Sequence, residues 1–300
     1  MLNSSLLIAQ IQEGNIKALA RMISLVENET GNYAQVLKDL PFSATKVTGI
    51  TGPPGAGKST LADALIATWV AAGKKVGVLC VDPSSPFNFG ALLGDRIRMS
   101  EWYNNPNVFI RSLASRGSMG GLNPKIIEIT DIMKTALFDH IIIETVGVGQ
   151  SEVEIAGLAD TTVVVVVPEA GDEVQTMKAG LMEIADVFVV NKADRPDADT
   201  FIRNLRQMLM PLHAGPTTEV PVLKTIAAQK QGITELYQAI LTHQQTEHTH
   251  TKKGWLLAEK AYQLIQHSRM KHISKAALKT AIEAAPPATF NLYRFVEQYA

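Results

Sequence analysis

The sequence predicts an α/β fold: a mostly parallel, doubly wound sheet with helices on both faces, carrying helical extensions at its N-terminal and C-terminal ends. Three observations predict it. From Lys46 onward, short β-branched runs alternate with glycine-rich or polar turns and helical stretches, as parallel βα units do. Several runs, such as Val163 to Val167, are apolar without alternation, the pattern of central strands covered on both faces. The 300 residues are 46% hydrophobic and 19% charged, so enough apolar surface is available to offset the conformational entropy of folding.

Residues 1–42 read as an N-terminal helical extension. Leu7, Ile8 and Ile11, then Ile16, Leu19, Met22, Ile23 and Val26, recur at three- and four-residue spacing and are broken by Gly14-Asn15, which predicts two amphipathic helices. Residues 43–243 hold the sheet, with strands predicted over 46–51, 75–81, 108–112, 140–145, 162–168, 187–191 and 221–226. A helix from Lys58 to Ala72 follows the first strand and stops at Gly73. After His243 the run Gln244 to Thr251 is polar, and helical periodicity resumes at Trp255, so residues 244–300 read as a linker and a helical appendage. His243, His248 and His250 fall in or beside this tract; lacking cysteine partners, they read as a solvated linker rather than a metal site.

Composition excludes several functions. Lys plus Arg number 28 against 29 Asp plus Glu, a net charge of −1, so no global basic field draws the chain to nucleic acid or anionic membrane. No apolar run approaches the roughly 20 residues a membrane helix needs. The N-terminus lacks a basic segment followed by an apolar stretch, and the single cysteine, Cys80, lies in an apolar run and has no disulfide partner. A cytoplasmic, reducing location is expected.

The strongest motif is Gly52-Pro53-Pro54-Gly55-Ala56-Gly57-Lys58-Ser59-Thr60, which fits the phosphate-loop pattern of glycine, four residues, then Gly-Lys-Ser/Thr. Its glycines let successive N–H groups converge on phosphate oxygens, and the helix N-terminus adds a favourable dipole. Lys58 would reach the β- and γ-phosphates and Ser59 would ligate Mg²⁺. A second motif, Asn191-Lys192-Ala193-Asp194, follows an apolar strand. An Asp at this place accepts from the guanine N1–H and exocyclic amine, whereas adenine offers an acceptor there, so the motif selects GTP over ATP. Between them the strand Ile141-Ile142-Ile143-Glu144 ends in an acid with Gly147 three residues on. Glu144 would hold Mg²⁺ or its water shell, and the Gly147 amide would sense the γ-phosphate. Val148 stands where Ras-like proteins place a water-orienting Gln, so slow intrinsic hydrolysis is expected. Asp82 and Asp95 lie beyond strand ends and could supply further oxygen ligands or simply cap turns.

Long blocks in one order, from Leu19-Ala20-Arg21-Met22 through Asp82-Pro83-Ser84-Ser85-Pro86, Leu93-Gly94-Asp95-Arg96, Arg111-Ser112-Leu113-Ala114-Ser115-Arg116-Gly117 and Glu144-Thr145-Val146-Gly147 to Asn191-Lys192-Ala193-Asp194, resemble the methylmalonyl-CoA mutase-associated GTPases of the MeaB/ArgK type. The resemblance covers roughly residues 10–240. It implies a homodimeric P-loop GTPase binding GTP or GDP with Mg²⁺, whose partner is an adenosylcobalamin-dependent acyl-CoA mutase. The GTPase would gate the mutase's cofactor loading and protect it. It further implies that Asp82, Asp95 and Glu144 are Mg²⁺-site acids. Pro168 to Lys178 would match a switch loop coupling nucleotide state to the mutase, with Asp172 and Lys178 as its polar contacts. The family usually carries a Ser-Ala pair at the guanine O6, whereas this chain reads Thr225-Ile226-Ala227-Ala228, leaving Ala227 to make the backbone contact. Two other readings are a metallochaperone GTPase, which would need a Cys/His cluster, and a P-loop kinase or ATPase linked to basic amino-acid transport, which Asp194 disfavours.

Overall fold

The structure is a computed structural model describing residues 4–82, 99–115, 122–145, 154–170, 179–209, 220–246, 250–286 and 289–299. Asp95, Gly147, Val148, Asp172, Lys178 and His248 lie outside the described residues. The chain forms two compact units, Met1–Glu247 and His248–Ala300.

Among the described residues of the first unit the seven strands are β1 Lys46–Thr51, β2 Val76–Asp82, β3 Val108–Ala114, β4 His140–Glu144, β5 Thr161–Val166, β6 Val187–Val190 and β7 Val222–Lys224. They form one sheet in the order β3-β2-β4-β1-β5-β6-β7, with every pairing parallel. All seven predicted strands are present. The last is shorter than its predicted span, beginning after Pro221, which has no N–H to give a ladder. Strand order reverses direction at β1, the switch point at which open α/β sheets bind ligands beyond their carboxyl ends.

The helices are α1 Ser4–Gln12, α2 Ile16–Glu27, α3 Tyr33–Lys38, α4 Lys58–Ala71, α5 Ile126–Thr135, α6 Ala179–Ile184, α7 Ala198–Leu209 and α8 Ile233–Gln245. The β-strands feed cores on both faces. Leu79, Val81, Ile141 and Ile143 turn to one face with Leu19, Met22, Ile23 and Ile129. Val78, Cys80, Ile142, Val163 and Val165 turn to the other with Leu61, Leu65, Trp69 and Leu236. Val164, Val166 and Phe188 pack with α6 and α7. Helices α1 and α2 therefore complete one face of the sheet core. Asn15 caps α2, its side chain accepting from Ala18 N at 3.1 Å, which explains the break at Gly14-Asn15.

One expectation is corrected. His243 is not part of a solvated linker: it lies on α8, its Nδ1 2.9 Å from Thr161 Oγ1 and its Nε2 3.2 Å from Asp186 Oδ1. Helix α8 continues through Gln245, so Gln244 and Gln245 are the end of a helix, and His250 begins the next one.

The second unit holds helices His250–Met270, Lys275–Ala284 and Leu292–Glu297. The latter two are capped by Ser274 and Asn291. Tyr262, Ile265, Leu292, Tyr293 and Val296 are all exposed.

Candidate active site

The loop after β1 is built on glycine backbone geometry. Gly52, Gly55 and Gly57 have φ of 136°, 79° and 90°, a region in which L side chains are strained. Space adds a second constraint at two of them. A Cβ at Gly52 would stand 2.0 Å from the Val165 carbonyl oxygen, and one at Gly57 would stand 2.4 Å from Asn191 Nδ2, whereas at Gly55 it would meet open space. The loop is thus pressed between β5 and the loop after β6.

Helix α4 starts at Lys58, immediately after Gly57. The Lys58 ammonium is folded over its own loop, donating to Gly52 O at 2.9 Å and Pro53 O at 3.1 Å. Ser59 Oγ donates to Glu144 Oε1 across 2.6 Å, the short distance of a hydroxyl bound to a carboxylate. Thr60 is exposed on the same first turn. Asp82, 4% exposed, ends β2 two residues beyond Cys80, which lies opposite Glu144 in register. Strand pairing therefore brings both acids to the carboxyl end of the sheet, where the loop after β1 emerges. One hydroxyl and two carboxylates make an all-oxygen donor set, the kind that Mg²⁺ requires. Beside them Thr145 Oγ1 donates to Thr51 Oγ1 at 3.1 Å, tying the ends of β4 and β1.

The loop after β6 braces the first. Asn191, 2% exposed, donates through Nδ2 to Ala56 O at 2.9 Å. Its Oδ1 accepts from Thr225 Oγ1 at 3.0 Å and from Ala227 N at 3.1 Å. Lys192 Nζ donates to Gly55 O at 2.8 Å, and Ala193 N to Thr225 O at 3.1 Å. Asp194 is exposed at the mouth of this construction. The phosphate loop, residues 191–194 and residues 225–227, distant in sequence, are one hydrogen-bonded body.

The structure brings together Lys58, Ser59, Asp82 and Glu144 on one side, and Asn191, Lys192, Asp194 and Ala227 on the other. Sequence reasoning did not single out Thr51, Thr145, or the Arg195–Glu169 ion pair beside Asp194. None has a spacing signal, because each contact joins segments far apart in the chain.

The family model for the methylmalonyl-CoA mutase-associated GTPase MeaB matches residues 19–285. The chain belongs to this family. A methylmalonyl-CoA mutase-associated GTPase is a P-loop enzyme that hydrolyses GTP, in keeping with the loop and the exposed Asp194. A relative in Pyrococcus abyssi, named as a GTPase, is 46% identical over 245 residues, 80% of this chain and 75% of the relative. The fused isobutyryl-CoA mutase of Geobacillus kaustophilus is 35% identical over 235 residues, 73% of this chain but 22% of that protein. Among solved structures, that of a LAO/AO transport system kinase superposes with a TM-score of 0.68 at 25% identity, covering 100% of this chain and 98% of the other.

Proposed function

We propose that this GTPase is a chaperone of an adenosylcobalamin-dependent acyl-CoA mutase, gating the loading of the mutase's cofactor and protecting it from inactivation. The observation that carries the reading is the fused relative, in which a segment like this chain shares one polypeptide with an isobutyryl-CoA mutase. Fusion holds two modules at high effective concentration, which is useful when they act on one another.

In this reading GTP lays its phosphates along residues 52–60, where backbone N–H groups and the α4 N-terminus meet their charge. Lys58 leaves the Gly52 and Pro53 carbonyls and moves to the β- and γ-phosphates. Ser59, Asp82 and Glu144, with Asp95, hold Mg²⁺, which neutralises the charge spread over the phosphate oxygens. Asp194 accepts from the guanine edge, with Asn191, Lys192 and Ala227 fixing the loop that presents it. Gly147 senses the γ-phosphate, and Asp172 and Lys178 carry the nucleotide state toward the mutase. Val148 cannot orient an attacking water by hydrogen bonding, so intrinsic turnover is slow and the partner completes the geometry. The apolar side chains exposed on the second unit suit a homodimer, in the cytoplasm, with a second copy covering them.

The test is steady-state GTP hydrolysis by the purified protein, alone and with a cobalamin-dependent acyl-CoA mutase, with ATP in parallel. Stimulation above a slow basal rate with ATP inert supports the reading. GTP preference without a response to the mutase removes the client, and ATP preference favours a kinase related to basic amino-acid transport. Tight Ni²⁺ or Zn²⁺ binding would favour a metallochaperone.

A further inference from the structure

We infer that the N-terminal helical pair is a positioning element of the nucleotide site, with Glu27 and Glu29 setting the place of Asp82 at the end of β2. The inference rests on the reading of Asp82 as a magnesium-site acid. Among the described residues strand β3 is the edge of the sheet, with β2 as its strand partner. Its last residue, Ala114, lies opposite Asp82 in register, and Ser115 N donates to Asp82 O at 3.0 Å. Whatever holds the end of β3 therefore holds the backbone of Asp82.

Two contacts from the N-terminal helices do so. On β3 itself, Arg111 Nη2 meets Glu27 Oε2 at 2.7 Å and Ser24 Oγ at 3.3 Å. At the far end of the connection that follows β3, Asn123 is 2% exposed. Its Nδ2 donates to Ala114 O at 2.7 Å and its Oδ1 accepts from Lys125 N at 2.8 Å. Lys125, 5% exposed, pairs with Glu29 Oε1 at 2.7 Å and Glu128 Oε1 at 3.1 Å. An unbroken line of bonds thus runs from Glu29 through Lys125, Asn123 and Ala114 to the strand end that carries Asp82.

The way this line is built argues for more than adhesion. Glu29 follows the end of α2 with φ of 52°, a conformation that glycine adopts at less cost, and its side chain supplies the carboxylate that Lys125 meets. Glu128 Oε2 is buried with no hydrogen-bond partner among the described residues. A buried charge cluster of this kind adds less stability than well-packed apolar side chains, and its best-attested use is to specify register. Burial alone would lower the Lys125 pKa, but its bonds and charge interactions with Glu29 and Glu128 outweigh it and hold the ammonium above the usual lysine value. Lys125 stays charged, and the tie persists, across physiological pH.

The experiment is a magnesium titration of GTP hydrolysis for wild type, Glu29→Gln, Glu27→Gln and Asp82→Asn, with melting temperature and GDP affinity in EDTA measured alongside. The expected result is a rise of roughly three- to tenfold in half-saturating Mg²⁺ for each glutamate variant, with a larger rise for Asp82→Asn. Magnesium-free GDP affinity should stay within about twofold, since the contacts described for the two glutamates run to Arg111 and Lys125 and not to the phosphate loop. A lowered melting temperature with an unchanged magnesium profile in both glutamate variants, while Asp82→Asn shifts its profile, overturns the inference and leaves a purely structural tie. An unchanged profile in Asp82→Asn overturns the reading of Asp82 and the inference with it. Should Glu29→Gln fail to fold, Glu27→Gln decides by the same criteria.

Discussion

Asn191 Nδ2 donates to the Ala56 carbonyl across 2.9 Å, joining two loops 135 residues apart. The same side chain accepts from Thr225 and Ala227, so the base-side loops and the phosphate loop share one buried amide. Asn191→Ala leaves the Ala56 carbonyl and the Ala227 N–H without that partner. At about 1–3 kcal/mol for each of the two buried orphans, the variant should lose about 2–6 kcal/mol of stability and bind GDP more weakly. Chemical denaturation and calorimetric GDP titration check both.

The three loop glycines should differ in a way their shared positive φ does not foretell. Gly52→Ala drives a methyl into the Val165 carbonyl and Gly57→Ala drives one into Asn191, while Gly55→Ala has room. Gly55→Ala should cost about 1–2 kcal/mol from backbone strain alone. Gly52→Ala should cost clearly more and abolish nucleotide binding, because backbone cannot step aside as a side chain can. Melting curves with and without GDP distinguish these outcomes.

Lys58 and Asp194 should separate phosphate binding from base choice. Lys58→Ala removes the ammonium that now caps Gly52 and Pro53 and should abolish turnover. Asp194→Asn, at an exposed position, should leave the fold intact and reduce the preference for GTP over ATP by about 10- to 100-fold, as expected for charge-assisted bonds of about 1.5–3 kcal/mol. Competition binding with both nucleotides measures it. Unchanged GTP affinity in both variants would contradict the placement of the nucleotide.

Acid should weaken the fold through His140. Its ring stacks on Trp69 at a centroid distance of 4.4 Å, and burial holds its pKa below the usual 6.5, with Lys74 acting in the same direction and Asp139 opposing. The unfolded chain then binds a proton more readily than the native one, so this stability is fully present above pH 6.5 and is lost as pH falls through 6.5 toward the lowered native value. His140→Gln should flatten the dependence of unfolding free energy on pH in that window. Urea denaturation of both proteins between neutral and mildly acid pH provides the comparison.

The period and composition of the chain were sufficient for every strand and for the order of βα units, because apolar runs and glycine punctuation are local properties. The phosphate loop and Asn191-Lys192-Ala193-Asp194 were legible for the same reason: their chemistry is written in consecutive residues. The motifs assigned Ser59 and Glu144 to one Mg²⁺, but position along the chain does not say which strands become neighbours, so only the tertiary structure gave their direct hydrogen bond and placed Asp82 on the adjoining strand. The N-terminal helices show the difference most plainly. Their amphipathic spacing marked a buried face, but the partner of that face, the β2–β3–β4 side of the sheet, and the reach of Glu29 to Lys125 follow from chain crossings over nearly one hundred residues. His243 shows it in reverse: among polar neighbours it read as solvated, and only the packing of α8 gave its ring Thr161 and Asp186 to bind.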